Sequence, residues 1–576
     1  MRLFALLTIL FFTGVSQTKA QALTGKDFWF TLPENQGANG QEYYIYVVSQ
    51  FCIDSAYIEL PFFNEKRYFS VEAGEFYRIT VPRTNGFAVA YHQFDDDIEN
   101  KSVHLVSPKP VAVYLLNYSQ FTPDGESLIP LDLTGTNYVL SMRGNGNFQP
   151  IRNTIIATEN NTMVTIRSWD QFGSPFTRDI NLNQGETYLW TSSSECTADY
   201  QPVGVIDCRT TTGSVVEASK KITVFSSVPC SNIGACGNCD ALMTTYLPIN
   251  RWSNRYVTAQ VIQRNTALPF DNLNGCSNNG VNGSGDYLEI LGPIGANVSI
   301  RSKLGTENIT ITSPLFGNFG YGYILYEIPG DAFDNGEANT EISSNVPIQV
   351  VQYTKGRGID NNPTADPEAL YIFPPTMWQS SYFFYPIYTP TAQNLEITVV
   401  VEDIGSPLPS TTILLNGNNI GGGNWVSIPN TNFKYKRISD PEFISSRIES
   451  SSGARFGFFF FARNERETAF FSGGYGPLTE VSLCEQCAEA DILTEGSFCV
   501  NSTIDFNPAI YSFTTPQNLQ YSWNFGDGFT STERSPSHVF NRFGNFPVQL
   551  SISDGSCVIS TSRFVQVNDI SIDATP

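Results

Sequence analysis

Only three histidines stand in the 576 residues, His92, His104 and His538, and none has a second ligand or a nucleophile at a spacing that makes a metal site or a catalytic pair. The chain carries no H-E-x-x-H, no G-x-S-x-G and no glycine loop of the phosphate-cradling kind. With 55 acidic residues, carboxylate pairs for glycoside hydrolysis can be drawn almost anywhere, and their separation is a property of the fold. One acidic run is dense enough to hold a hard cation through oxygen ligands. Asp95, Asp96, Asp97 and Glu99 are therefore calcium candidates, although the spacing is not that of an EF-hand and a solvated loop explains it as well. No other cofactor is indicated.

Eleven cysteines are the remaining reactive groups, at 52, 196, 208, 230, 236, 239, 276, 484, 487, 499 and 557. Cys236-x-x-Cys239 and Cys484-x-x-Cys487 have the spacing of zinc knuckles, but they lie far apart and have no neighbouring histidine. In an exported chain the first expectation is disulfides. Cys499 with Cys557 would staple the C-terminal region, and Cys196 with Cys208 would close a local loop. The odd total leaves a thiol over, and Cys52, with no other cysteine near it, is the expected one.

Export itself is read from the N-terminus. Met1-Arg2, the apolar run Leu3 to Val15 and the A-x-A-like end Ala20-Gln21-Ala22 predict a cleaved signal peptide over 1–22. The run is shorter than the roughly 20 residues that a membrane-spanning helix needs, and no later segment is a transmembrane candidate. The expected location is secreted or at the cell surface. A formal charge of −22 without any basic run argues against nucleic acid and anionic membranes as partners.

The elements that must position these residues read as strands. Aromatics are 13%, charged residues only 15%, and 45 glycines and 33 prolines punctuate short β-branched and aromatic runs such as Tyr43 to Val48, Phe76 to Val81 and Met163 to Ile166. Ile155-Ile156 and Val164 to Ile166, separated by Glu159-Asn160-Asn161, predict a hairpin. The pairs 287–290 with 298–300 and 395–401 with 411–415 predict two more.

One block recurs. Pro110-Val-Ala-Val-Tyr114, Lys221-Ile-Thr-Val-Phe225 and Pro347-Ile-Gln-Val-Val351 are each followed by an acidic segment, a proline, and a tyrosine eight residues on, giving Pro130/Tyr138, Pro248/Tyr256 and Pro374/Tyr382. Gly74-Glu75-Phe76-Tyr77 recurs as Gly185-Glu186-Thr187-Tyr188 at an offset of 111 residues, the same offset that separates Pro110 from Lys221. Repetition at a fixed offset argues for copies of one β module. Four are expected, over 23–135, 136–250, 251–378 and 379–480, with the three tyrosines in equivalent places. The run Arg455-Phe-Gly-Phe-Phe-Phe-Phe461 would be a strand buried on both faces in the last copy.

Gly25-Lys-Asp-Phe-Trp-Phe30 with Glu34-Asn35, Val111 to Tyr118, Ile156 to Thr162, Asn183 to Tyr188 and Cys239-Asp-Ala-Leu242 through Leu247-Pro248 and Trp252 resemble the N-terminal domain family of IgG-Fc-binding proteins. The resemblance spans about 25–480. It implies a large secreted protein, of a type found in gliding and surface-adherent bacteria, and a disulfide between Cys230 and Cys239, with Cys236 an addition of this chain. Tyr521-Ser-Trp-Asn-Phe-Gly-Asp-Gly528 with Ser535 to Phe540 resembles a PKD domain, over about 489–569 after a linker at 481–488. That resemblance implies an immunoglobulin-like sandwich in which Trp523 and Phe525 face the core, Gly526, Asp527 and Gly528 form a turn, and His538 lies on the next strand. The motif accounts for Asp527 and His538 without a catalytic role.

The expected fold class is all-β, with tandem sandwich-like modules followed by an immunoglobulin-like sandwich. The expected function is a non-catalytic binding or adhesion protein that offers its loops to a glycan or protein ligand, with the PKD unit as a spacer. An accessory region of a secreted hydrolase and a structural matrix component are the alternatives. The tail 570–576 reads as the start of a linker that packs against nothing, as in a released or truncated product.

Overall fold

The computed structural model describes residues 23–568 except 37–41, 86–87, 120–121, 145–148, 170–173, 192–209, 232, 234–238, 259–283, 303–304, 313–318, 330–339, 355–366, 385–393, 423–424, 440–445, 465–466, 473–487 and 512–517. The expected signal peptide and the tail 570–576 lie outside the described residues. Among the described residues the chain is all-β, with short 3-10 turns as its only helical elements.

Seven strands make one module, and the pattern is drawn four times. In the first, the long strand Ser102–Tyr118 is shared by two sheets. Its N-terminal half pairs with Gly25–Thr31 and Ile53–Leu60, which in turn pairs with Glu65–Val71. Its C-terminal half pairs with Glu42–Ser49, which pairs with Glu75–Pro82, and with Asp124–Ser127 on its other side. The long strands Val215–Ser231 and Glu341–Thr354 organise the second and third modules in the same order. In the fourth, the shared strand is broken into Ser446–Ser450 and Phe456–Asn464, so the two sheets separate. Pro110, Lys221 and Pro347 stand where the shared strand passes from one sheet to the other. A missing N–H is tolerated at Pro110 and Pro347 because pairing shifts register there.

This arrangement overturns the three expected hairpins. Arg152–Ala157 and Thr162–Trp169 do not pair with each other; each pairs with a different half of Val215–Ser231. Ser284–Pro293 and Asn297–Ser302 flank Glu341–Thr354 in the same way, and Asn394–Glu402 and Ile413–Leu415 lie in different sheets. A short turn fits a sheet-to-sheet crossover as well as a hairpin, and the strand that separates the two runs comes much later in the sequence.

The recurrent tyrosines have one geometry, inside the first strand of each later module rather than at its start. Tyr138 accepts the N–H of Gly135 and donates to the Ile222 carbonyl, both at 2.8 Å. Tyr256 does the same with Ser253 at 3.1 Å and Ile348 at 2.6 Å, and Tyr382 with Gln379 at 3.0 Å and Phe456 at 2.8 Å. Each phenol thus satisfies two backbone groups released by the register shift. Pro130, Pro248 and Pro374 precede the 3-10 turns Leu131–Leu133, Ile249–Arg251 and Pro375–Met377 with nearly identical backbone angles. Pro248 lies so close to Gly135 that a Cβ there would meet its Cβ at 2.7 Å, which explains a glycine at that strand start.

The modules close into a ring. The last strand of each, Asp124–Ser127, Asp240–Thr245, Glu368–Tyr371 and Glu467–Ser472, packs against the corresponding strands of the modules before and after it, and the first packs against the fourth. Cores are continuous across these joints. Phe456, Phe458 and Phe460 share a cluster with Tyr43, Ile45 and Val113 of the first module, while Phe459, on the opposite face, joins Ile348 and Val350 of the third. The Phe-rich strand is therefore buried on both faces because it lies between two neighbours. Tyr353 and Tyr371 of the third module likewise enter the core of the second.

The C-terminal unit is a separate sandwich of two sheets, with Glu489–Gly496, Thr503–Tyr511 and Ser537–Val539 in one and Thr530–Ser531, Gln520–Asn524, Gly544–Ser553 and Val558–Val567 in the other. Trp523 and Phe525 are 0% and 2% exposed in its core, and the indole N–H donates to the Glu533 carbonyl.

Candidate functional site

His104 lies on the outer sheet of the first module, directly opposite Trp29 on one side and Glu59 on the other. Its ring stacks on Trp29 at 3.8 Å, and its two nitrogens meet Asp27 at 3.2 Å and Glu59 at 3.3 Å. The row continues to the surface. Lys66 bonds Glu59 at 2.7 Å and sits 3.6 Å over the Tyr57 ring, which packs beside Tyr68, itself 69% exposed. The hydrogen bond from Lys66, and to a lesser degree that from His104, holds the Glu59 carboxyl below its usual range. Strand register places this aromatic and charged array, because directly opposed residues share a face.

The calcium candidates serve another joint. Asp97–Glu99 adds a strand to the second module beside Thr187–Thr191. Asp95 accepts the N–H and the hydroxyl of Thr191, both at 2.7 Å, and Asp96 pairs with Arg178 and accepts the Tyr188 hydroxyl. Asp97 accepts the Ile98 N–H, while Glu99 accepts those of Gln93 and Phe94 and stands 3.2 Å from His92. Burial pushes the His92 imidazole below its ordinary value even though Glu99 stands beside it. The four carboxylates thus turn to separate protein donors. Among the described residues no group of three or more His, Cys, Asp or Glu is arranged to hold a metal ion.

Asp527 and His538 do come together, at 2.8 Å. Asp527 also accepts the Phe529 N–H, and His538 stacks on Phe525 at 4.1 Å. Both side chains are largely buried, and Gly526 and Gly528 take the positive φ that the turn requires. The pair fixes the Gly-Asp-Gly turn to the facing strand.

The sequence reading missed the carboxylates at the centre of the ring. Asp124 and Glu368 are buried and hydrogen-bonded to each other, joining the inner strands of the first and third modules. Asp124 also accepts the N–H of Gly125 at 2.7 Å and that of Met243, and Glu126 accepts the Thr245 N–H at 3.2 Å. The first module's acids thereby cap edge N–H groups of the second module's inner strand. Burial pushes the Asp124 carboxyl up to about 7, and burial and then the nearby Asp124 charge push Glu126 well above its ordinary value. A signal was present: all four inner strands open on Asp or Glu, at 124, 240, 368 and 467, and none carries a basic residue. A second buried carboxylate, Glu289 of the third module, takes bonds from Ser141 at 2.7 Å, Arg143 at 2.8 Å and Thr212, all of the second.

The cysteines divide. Cys230 and Cys239 are bonded, with Cα atoms 5.2 Å apart. Cys499 is free, against the expected link to Cys557. Cys499 bridges to Asn568 just past one end of Val558–Val567, and Cys557 precedes the other end, about 30 Å away for ten extended residues. A disulfide needs Cα atoms within about 7 Å. Cys557 is disulfide-bonded, and so is Cys52, which was expected to be the unpaired one; the other half of each bond lies outside the described residues. Cys196, Cys208 and Cys236 also lie outside them.

With four modules of one topology and the bonded Cys230–Cys239 pair in place, comparison with known proteins is decisive at the level of family. A model of the family described as IgGFc binding protein matches residues 124–461. The chain belongs to that family. A PKD domain model matches residues 489–568. Over 55 residues the chain is 40% identical to Collagenase ColA of Bacillus cereus, a stretch that is 10% of this chain and 6% of the collagenase. Among solved structures, an amphioxus IgVJ-C2 molecule covers 33% of this chain and 97% of its own at 9% identity and a TM-score of 0.15. A tetra-tandem repeat from the extending region of a large adhesion protein covers 75% and 99% at 10% identity and a TM-score of 0.12. Likenesses that weak carry no argument. Among the described residues no helix is long and apolar enough to cross a membrane.

Proposed function

We propose that this member of the IgGFc binding protein family is a secreted or cell-surface binding or adhesion protein. Its ring holds a surface rigidly toward a glycan or protein ligand, and its PKD unit acts as a spacer. The observation that carries the reading is the outer face of the first module. There Tyr68, Tyr57 and Lys66 stand in one row with Glu59 and His104, oriented by strand pairing and by an unbroken series of ion pairs. The other chemistry-bearing groups described above are engaged in joints between strands and modules. Rigid aromatic side chains beside fixed charges provide contact area at small entropic cost.

The test is binding of the exported protein to an array of glycans, mucins and serum proteins, with and without calcium. The wild type is expected to bind one ligand class, and Lys66→Ala with Tyr68→Ala to weaken that binding about tenfold or more. Unchanged binding by the double variant removes this face from the account, and no binding by the wild type removes the function. The alternative, an accessory region of a secreted hydrolase, draws support from the short likeness to a collagenase. Turnover of a collagen or gelatin substrate by the purified chain would favour it.

A further inference from the structure

The carboxyls on the ring axis serve neither the outer face nor any ion pair. We propose that Asp124 and Glu368 form a proton latch, a shared hydrogen that ties the inner strands of opposite modules and is released as the surroundings become less acidic. The geometry carries this. Both side chains are essentially inaccessible, at 0% and 1% exposure, and hydrogen-bonded to each other. Two carboxyls in contact require at least one proton, because two buried like charges cannot both persist there.

The surroundings supply no compensating cation. The inner strand Asp124–Ser127 also bears Glu126; the strand it pairs with places Asn117 opposite Asp124, and the buried Tyr114 phenol opposite Ser127. The second module's inner strand contributes Asp240, Thr244 and Thr245, and the third module's contributes Tyr371 besides Glu368. The fourth module's inner strand begins with Glu467, whose side chain lies outside the described residues. None of the four strands has a Lys, Arg or His in its sequence.

The sign follows from linkage. A carboxyl whose value rises from 3.8 to about 7 on folding keeps its proton in the closed ring and loses it when the latch opens. Closure is favoured fully below about 4, weakens between about 4 and 7, and changes no further above that range. The two groups titrate as one unit. Because Asp124 also holds the Met243 N–H, losing the latch loosens three modules together.

Hydrogen exchange on the full chain tests this, with intrinsic exchange rates divided out. The opening equilibrium at residues 124–127, 243 and 368–371 is expected to rise about tenfold per pH unit from 5 to 7 and to level off above it. In Asp124→Asn, whose amide still donates to Glu368 and accepts from Met243, the profile is expected to be flat. Glu368→Gln gives a second reading should the first variant fail to fold. A flat wild-type profile overturns the proposal, as does a wild-type slope kept by either folded variant. A slope that disappears on adding calcium and returns with chelator assigns the pair to a cation and overturns the proton latch.

Discussion

Tyr256→Phe isolates the device that the three later modules share. The ring is fully buried and keeps its packing in the variant, so no cavity forms. What disappears is one bond accepted from the Ser253 N–H at 3.1 Å and one donated to the Ile348 carbonyl at 2.6 Å. Each orphaned backbone group costs about 1–2 kcal/mol where no water replaces the phenol, which gives about 2–4 kcal/mol in total. Tyr138→Phe and Tyr382→Phe remove the same pair of bonds and should cost amounts within about 1 kcal/mol of it. Phe28, at the corresponding place in the first module, shows that the ring alone fills the site there. The assay is urea unfolding of all three variants, with hydrogen exchange reporting which module opens first, because a chain of several modules need not unfold in one step. A cost below about 0.5 kcal/mol in one variant and several in another would refute the equivalence of the sites.

Three further outcomes are expected. Trp523→Ala should destabilise the PKD unit by about 3–5 kcal/mol in thermal unfolding, as for any large aromatic removed from a packed core, and a change under about 1 kcal/mol would place the indole outside that core. Arg143→Ala should cost about 3–5 kcal/mol by leaving Glu289 buried without its cation, read as a lower urea midpoint, whereas a neutral result would mean that water enters the joint between the second and third modules. Alkylation and non-reducing peptide mapping should label Cys499 alone among Cys52, Cys230, Cys239, Cys499 and Cys557 and recover Cys230 linked to Cys239; a Cys499–Cys557 peptide would contradict the strand geometry.

Local, repeated chemistry was legible in the sequence. Each proline and the tyrosine eight residues beyond it lie in one turn and one strand, so their spacing survives translation into structure. Trp523, Phe525 and the Gly-Asp-Gly turn were readable for the same reason. Ring closure was not, because it depends on single contacts such as Tyr114 with Phe460, which join the first and last modules and repeat nowhere. The Phe-rich run announced burial on both faces but not that a neighbouring module covers each face. The acidic run 95–99 looked like a loop because its partners, Thr191, Arg178 and Tyr188, come from the next module. Hairpins failed wherever a later strand lies between two that are adjacent in sequence. Cysteine spacing could not distinguish the two ends of one long strand, where Cys499 and Cys557 are held apart.

The closed ring is what makes one face of the first module a rigid platform, and the joint between the first and fourth modules decides it. A double-mutant cycle on Tyr114→Ala and Phe460→Ala, whose rings meet edge to face at 5.8 Å, measures that joint in the unfolding free energy. A coupling of about 0.5–1.5 kcal/mol is expected. Strict additivity, as in an open row whose end modules never touch, would contradict the ring.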